Sequence, residues 1–156
     1  MNTDSISIEL VHCPIDLASL QTKIADPDVG AHGWFFGVTR RRTTTNDPEP
    51  KITQSLSYQA HEPMAEKQLL QIAADAIQRF GLTKLVIVHR LGDVPVGQAS
   101  VVVGCSSPHR PATFEALPWV MDILKRDVPI WKCERYVDET SAWVHPQVSQ
   151  ESDKTP

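Results

Sequence analysis

Long apolar runs are absent from this sequence. No stretch of its 156 residues approaches the roughly 20 apolar residues that a membrane-spanning helix needs. The first ten residues, MNTDSISIEL, also lack the basic segment followed by an apolar segment that marks a secretory signal. We therefore expect a cytoplasmic protein with no membrane partner.

Cysteine is scarce and irregularly placed. The three residues Cys13, Cys105 and Cys133 are odd in number, lie far apart and form no C-x-x-C pair. This spacing excludes a recognisable disulfide framework and a cysteine-based zinc site. A reducing compartment fits such cysteine usage best.

Several familiar ligand-binding patterns are missing as well. The sequence contains no H-E-x-x-H, no paired His-x-His, no carboxylate cluster and no glycine-rich phosphate loop. Its basic residues are not interleaved with aromatic residues along one face, as nucleic-acid binding would require. We expect no resident metal or cofactor and no nucleic-acid partner.

The composition is that of an ordinary soluble globular protein, with 41% hydrophobic and 22% charged residues. The length suits one domain with a substantial core. We assign that domain to residues 1–145. The polar residues 146–156 are predicted to form a flexible C-terminal tail.

Helical and strand patterns mix without strict βαβ alternation, which predicts an α+β fold with a mostly antiparallel sheet and about three helices packed on it. Gly81 is placed as the glycine that ends the second helix. The segment between the strands ending at His89 and starting at Ala99 is predicted to be a turn-rich hairpin link. The predicted strands cover residues 5–12, 30–39, 52–60, 85–89, 99–104, 131–137 and 142–145, and the helices cover 16–25, 63–80 and about 111–126.

The stretch 106–134 concentrates ionisable groups around one helix. His109 and Arg110 stand at its start, Lys125 stands near its end, and Lys132 begins the next strand. The chain as a whole has a net charge of −4. Local positive charge in an acidic chain indicates a site for an anion, not a general affinity for polyanions.

The helix within this stretch has an uncertain inner face. Phe114, Leu117, Met121 and Leu124 follow the spacing of an apolar stripe, and Lys125 falls close to them on the wheel. A lysine there either extends to solvent or is partly desolvated, which would lower its pKa. Helix position alone favours the other interpretation, in which Lys125 ends the helix and offsets its dipole. Pro118 inside the helix predicts a kink.

Arg40 is a further candidate because it stands at a strand end, where the backbone can direct it toward a phosphate. Arg41 and Arg42 are interpreted as part of a solvated loop that could order over a ligand. His89 is interpreted as a strand-end histidine with satisfied hydrogen bonds. Cys133, beside Lys132, could have a lowered thiol pKa, but nothing else resembles a sulfur-carrier loop.

Five segments occur in the same order as in one known family, the large, catalytic subunits of molybdopterin synthase, which the chain resembles over about residues 30–145. Gln59, His61, the order Val38-Thr39 and Pro118 depart from the family pattern. The segments are Gly30-Ala31 with Phe35, Gly37 and Arg40; LSYQAHEPMAEK at 56–67; VHRLG at 88–92 with Val96-Gly97; SSPHR at 106–110 with FEA and MDILK; and VPIWKCE at 128–134.

The resemblance implies an α/β-hammerhead-like fold and a sulfur transfer. The substrate would be cyclic pyranopterin monophosphate (precursor Z), and the sulfur would arrive as a thiocarboxylate on the C-terminal Gly-Gly of a small ubiquitin-like subunit. The product would be the dithiolene of molybdopterin. Two large subunits would form a homodimer within a heterotetramer.

The resemblance also implies site residues. Lys125 and Lys132 would be catalytic, and they would contact the substrate together with six other residues. Those substrate-binding residues are Phe35, Val38, Thr39, Arg40, His109 and Arg110.

Two alternatives remain at the level of sequence. The cationic pocket could belong to a non-catalytic scaffold that binds an anion or a ubiquitin-like tail without chemistry. Alternatively, the protein could be a cysteine-dependent sulfurtransferase that uses Cys133. That hypothesis predicts that Cys133→Ser abolishes activity.

Overall fold

A computed structural model describes residues 3–42 and 48–144 of the chain. The tail predicted at 146–156, His145 and most of the polar loop after Arg42 lie outside the described residues. Within the described ranges the fold contains three α-helices, α1 (Leu17–Ile24), α2 (Glu62–Phe80) and α3 (Arg110–Asp127). The strands are β1 (Ile6–Val11), β2 (Ala31–Val38), β3 (Thr53–Ala60), β4 (Lys84–Arg90), β5 (Gly92–Pro95), β6 (Ala99–Ser107), β7 (Ile130–Tyr136) and β8 (Ser141–Val144).

The strands form two four-stranded sheets, ordered β1-β4-β6-β2 and β5-β3-β7-β8. The pair β1–β4 is parallel, and the other pairs are antiparallel. The prediction of an α+β fold with mostly antiparallel pairing is confirmed. The hairpin link predicted between β4 and β6 is different: it contains β5, which leaves the first sheet and joins the second. That excursion brings the second sheet beside the ends of β4 and β6.

Each face of the first sheet has its own apolar core. Helices α2 and α3 cover one face, where Leu69, Ile87 and Val103 are fully buried. The short helix α1 covers the other face and packs Leu20 and Ile24 on valines of β4 and β6. Strand side chains alternate between these faces, so β4 is buried on both sides.

Helix α2 has the ends that its sequence predicts. The ring nitrogen Nδ1 of His61 accepts a hydrogen bond from the backbone N–H of Met64 at the start of the helix. Gly81 ends it with φ +67°, a left-handed conformation that favours glycine. No helix in the described ranges is long and apolar enough to cross a membrane.

Helix α3 confirms most of its predicted inner face. Met121 and Leu124 are buried and Leu117 packs against the core beneath α2 and α3, whereas Phe114 is 68% exposed. Small side chains face inward in its place, and the buried residues of the helix are Thr113, Ala116, Val120, Met121 and Leu124. The helix runs as one element through Pro118.

The approach of α3 to β2 is limited by glycine. A Cβ atom on Gly33 would lie 2.8 Å from the Cβ of Thr113 and 3.1 Å from Cδ1 of Leu117. A Cβ on Gly30 would lie 2.6 Å from the carbonyl oxygen of Pro108, in the turn that starts α3. Both glycines therefore fix how closely the helix can lie on the sheet.

We expect Gly33→Ala to destabilise the protein by about 1–3 kcal/mol, because the added methyl forces the helix away from β2. Denaturant unfolding followed by circular dichroism measures the loss. His32→Ala, at the exposed neighbouring position of the same strand, is the control and should change stability by less than about 0.5 kcal/mol. Equal stability of the Gly33 variant and the control would contradict the packing constraint.

Candidate active site

Lys132 lies at the centre of the candidate site. It sits in β7 directly opposite Tyr58 of β3 and Val144 of β8, and it is half-buried. Burial is the main cause that lowers the pKa of its ammonium. The charge of Glu134 opposes this shift, while the charges of Lys125 and Arg40 lower the pKa further. The structure thus brings three predicted cations, from three different elements, into one electrostatic neighbourhood.

The turn between α3 and β7 explains how the two lysines meet. Val128 caps the helix with its backbone N–H on the carbonyl of Leu124, and the N–H of Ile130 donates to the carbonyl of Val128 at 2.8 Å. Lys125 is exposed in the last turn of the helix. The desolvation considered for Lys125 is therefore found at Lys132, because the strand lies between two neighbouring strands while the helix end faces solvent.

Glu134 is a site residue that the sequence did not single out. It is buried in β7 and accepts a 2.8 Å hydrogen bond from the hydroxyl of Tyr136. Lys132, Glu134 and Tyr136 alternate along the strand and therefore share one face. That alternation was the available signal: a carboxylate two residues after a strand lysine places opposite charges side by side.

Arg40 lies two residues after the end of β2, and hydrogen bonds hold the backbone of its neighbour Thr39. The N–H of Thr39 donates to the carbonyl of Gln98, and the carbonyl of Thr39 accepts from the N–H of Gly97. Thr39 is only 3% exposed, and its hydroxyl Oγ1 has no hydrogen-bond partner in the described part of the chain. Val38 is exposed, whereas Phe35 packs against the core between the first sheet and helices α2 and α3. The backbone thus directs Arg40 outward from a rigid strand end.

A series of hydrogen bonds connects the two sheets next to the three cations. The hydroxyl of Tyr58 is hydrogen-bonded to Ser100, and Ser100 Oγ donates to the carbonyl of Gly37 at 3.3 Å. The register between β2 and β6 shifts at this point. Burial is the main cause that raises the pKa of Tyr58, with a smaller contribution from Glu134. Tyr58 therefore stays neutral near pH 7 and acts here as a hydrogen-bonding group.

His89 behaves as the strand-end interpretation predicted. It is buried, and its Nδ1 lies 2.9 Å from the carbonyl oxygen of Arg90, so the ring nitrogen donates. Burial lowers its pKa to about 4, which keeps the imidazole neutral. Its ring meets that of Tyr58 edge-on at 5.0 Å. His89 is therefore a neutral packing partner of Tyr58.

His109 and Arg110 lie elsewhere. Both are exposed at the start of α3, where the carbonyl of His109 accepts a 2.7 Å hydrogen bond from Ser107 Oγ. Fifteen residues of helix separate Arg110 from Lys125. At about 1.5 Å per residue this is roughly 22 Å along the helix axis. Within one chain, the predicted site residues therefore form two groups at opposite ends of α3.

The cysteine alternative loses its geometric basis. Cys133 and Lys132 are adjacent in β7, so their side chains point to opposite faces of the sheet. Cys133 Sγ instead lies 3.9 Å from the carbonyl oxygen of Glu134. Among residues 3–42 and 48–144, no group of three His, Cys, Asp or Glu side chains could hold a metal ion.

Comparison with known proteins identifies the family of this chain. A family described as "MoaE protein" matches residues 10–127. The chain is 41% identical over 141 residues to the molybdopterin synthase catalytic subunit of Aspergillus oryzae, covering 90% of this chain and 76% of that protein.

Solved structures share the fold. Molybdopterin synthase from Staphylococcus aureus superposes with a TM-score of 0.78 at 33% identity, covering 87% of this chain and 95% of that one. A complex of subunits 1 and 2 of the molybdopterin-converting factor from Helicobacter pylori superposes with a TM-score of 0.68 at 21% identity, covering 93% and 91%. The chain therefore belongs to the MoaE protein family, the catalytic subunits of molybdopterin synthase.

Proposed function

We propose that this chain transfers sulfur from the C-terminal thiocarboxylate of a small ubiquitin-like subunit to cyclic pyranopterin monophosphate (precursor Z), forming the dithiolene of molybdopterin. The observation that carries the proposal is the group of Lys132, Lys125 and Arg40 around one half-buried position. Both reactants are anions, a cyclic phosphodiester and a thiocarboxylate. A preorganised set of cations is what such a reaction requires from the protein.

Each cation has a distinct role in the proposed reaction. Arg40, directed outward from the end of β2, forks onto the phosphate of the substrate. Lys132, with its lowered pKa, binds substrate and gives up a proton more readily than an ordinary lysine at the carbon that receives sulfur. Phe35 and the backbone of Val38 and Thr39 line the pterin pocket beside them.

Lys125 faces the partner's thiocarboxylate carbon. Its exposed position in the last turn of α3 leaves it accessible to a tail that arrives from another chain. There its ammonium stabilises the oxyanion that forms when water adds to the acyl carbon, before the acyl–sulfur bond breaks and leaves the sulfur on the substrate and a carboxylate on the partner; alternatively its neutral amine adds to that carbon and takes the acyl group transiently until water releases it. The sulfur is carried by the partner, so no cysteine of this chain has to react.

The small subunit is the partner that the site needs. The Helicobacter pylori relative of the same fold was solved as a complex of two subunits. An extended C-terminal tail is narrow enough to bring its carboxyl end to Lys125 while its folded body remains outside. No enzyme-bound sulfur carrier is needed in this arrangement.

A second copy of this chain completes the site. His109 and Arg110 are too far from Lys125 to reach the same small substrate within one protomer, since the helix holds them about 22 Å apart. In a two-fold homodimer the start of one α3 can lie beside the end of the other, so each site takes its cations from both copies. Two large and two small subunits then form a heterotetramer.

We expect Lys125→Ala to reduce product formation at least about 100-fold while leaving binding of the small subunit intact, because the oxyanion loses its positioned charge. A single-turnover assay with thiocarboxylated small subunit and precursor Z measures this, after oxidation of the product to its fluorescent pterin. Arg126→Ala, the exposed neighbour paired with Asp127, is the matched control and should be near normal. Near-normal turnover by the Lys125 variant would remove Lys125 from the chemistry. Tight partner binding with no product from the unmodified chain would support a scaffold instead.

The pH dependence should follow Lys132. The protonated ammonium binds the anions, so the single-turnover rate falls as pH rises through its pKa, and it falls at lower pH than for an ordinary lysine. Glu134→Gln removes the charge that favours the ammonium, so the pKa of Lys132 drops further and the alkaline limb moves to lower pH. A pH–rate profile of both proteins measures the shift. Glu115→Gln, at an exposed site on α3, should leave the profile unchanged, and an unmoved limb in the Glu134 variant would contradict the coupling.

A mixed dimer tests the shared site. Lys125→Ala and Arg110→Ala should each be inactive alone, but dissociation and remixing of the two should restore activity to about a quarter of the unmodified level. Half of the remixed dimers contain both variants, and each of these has one site with both residues intact. Activity that stays at zero after remixing, with mixed dimers verified by mass spectrometry, would place both residues in one protomer's site.

A further inference from the structure

A pocket of about 220 Å³ lies between the loop that precedes α1 and the turn from β5 to β6. It is next to the apolar core between the first sheet and α1. We infer that it binds a small carboxylate through Arg90. Arg90 lines this pocket, which is open to the surface, together with the apolar residues Ile15 and Leu17. None of the residues assigned above to the sulfur transfer lines this cavity.

Arg90 is a buried cation without a visible counter-charge. It is only 9% exposed, and no carboxylate within residues 3–42 and 48–144 forms an ion pair with it. Its Nη1 donates to Oε1 of Gln98 at 2.6 Å, while its Nε is buried with no acceptor. A guanidinium has five N–H donors, and burying its charge is costly unless an anion or several acceptors satisfy it. An anion in the cavity would supply the missing charge.

The shape and lining of the cavity select a carboxylate. Arg90 and Gln98 are its polar side chains, and they lie together, while the remaining lining is apolar or backbone. A tetrahedral phosphate would leave oxygens without donors against the apolar wall, whereas a carboxylate with a short alkyl tail presents one polar end and one apolar end. The volume of about 220 Å³ accommodates a small acid with a short alkyl tail.

The cavity is separate from the site cations but connected to them through the backbone. Arg90 points to the α1 face of the first sheet, opposite His89, because adjacent strand residues alternate. Gly97 and Gln98 on the cavity's rim are the residues that hold Thr39, the neighbour of Arg40, by two backbone hydrogen bonds. Binding can thus be measured independently of sulfur transfer, on the unmodified chain alone.

The test is a ¹H–¹⁵N NMR titration with sodium butyrate, which has six non-hydrogen atoms. We expect saturable shifts at the backbone amides of Ile15, Leu17, Gly97 and Ala99, with a Kd on the order of 1 mM for so small a ligand. Sodium chloride at equal ionic strength, inorganic phosphate and 1-butanol, which keeps the tail without the charge, should each give no saturation in the same range. Shifts that grow linearly with butyrate, or equal binding of 1-butanol, would overturn the inference.

Gln98→Glu is the decisive variant because it places a carboxylate on Arg90 from within the chain and leaves Arg90 in position. Butyrate should then bind at least about tenfold more weakly, since the guanidinium is already neutralised. Gln78→Glu, the same change at an exposed position on α2, should bind butyrate like the unmodified protein. Unchanged affinity in the Gln98 variant would show that Arg90 does not hold the acid.

Discussion

The close contact between α3 and β2 determines where the cationic end of α3 lies. Gly30 and Gly33 leave no room for a side chain where Pro108, Thr113 and Leu117 approach. With the helix fixed at this distance, its last turn and the short connection to β7 set the separation of Lys125 from Lys132. A helix held even slightly farther out would carry Lys125 away from Lys132 and Arg40, so this contact preserves the grouping of the three cations.

Two opposing effects set the pKa of Lys132: burial lowers it, and the charge of Glu134 raises it. Lys132 is half-buried beside two like charges, all of which favour its neutral form, and the charge of Glu134 opposes them. The hydroxyl of Tyr136 holds Glu134 in place. The net result is a lysine whose ammonium releases its proton more readily than that of an exposed lysine.

Much of this could be predicted from the sequence, because local signals decide it. Residues close in sequence determine the end of α2 at Gly81, the periodicity of the strands and the position of Arg40 at a strand end. The burial of Thr113 in place of Phe114 could not be predicted, because Thr113 lies against Gly33, about 80 residues earlier in the sequence. The burial of Lys132 rather than Lys125 and the role of Glu134 likewise depend on how β7 is flanked by β3 and β8, which no local pattern contains.

The parallel pairing of β1 with β4 has a consequence for how the chain folds as it is synthesised. Ile6 is aligned with Leu85, so 79 residues must follow the first strand before its partner exists. At translation rates of about 5–20 residues per second, β1 leaves the ribosome about 4–16 s before β4 does. Contacts between such distant segments form slowly because a long loop must close first. β1 is thus synthesised well before it can pair with β4, and the apolar residues Ile6, Ile8 and Leu10 stay exposed to chaperones and proteases throughout that interval.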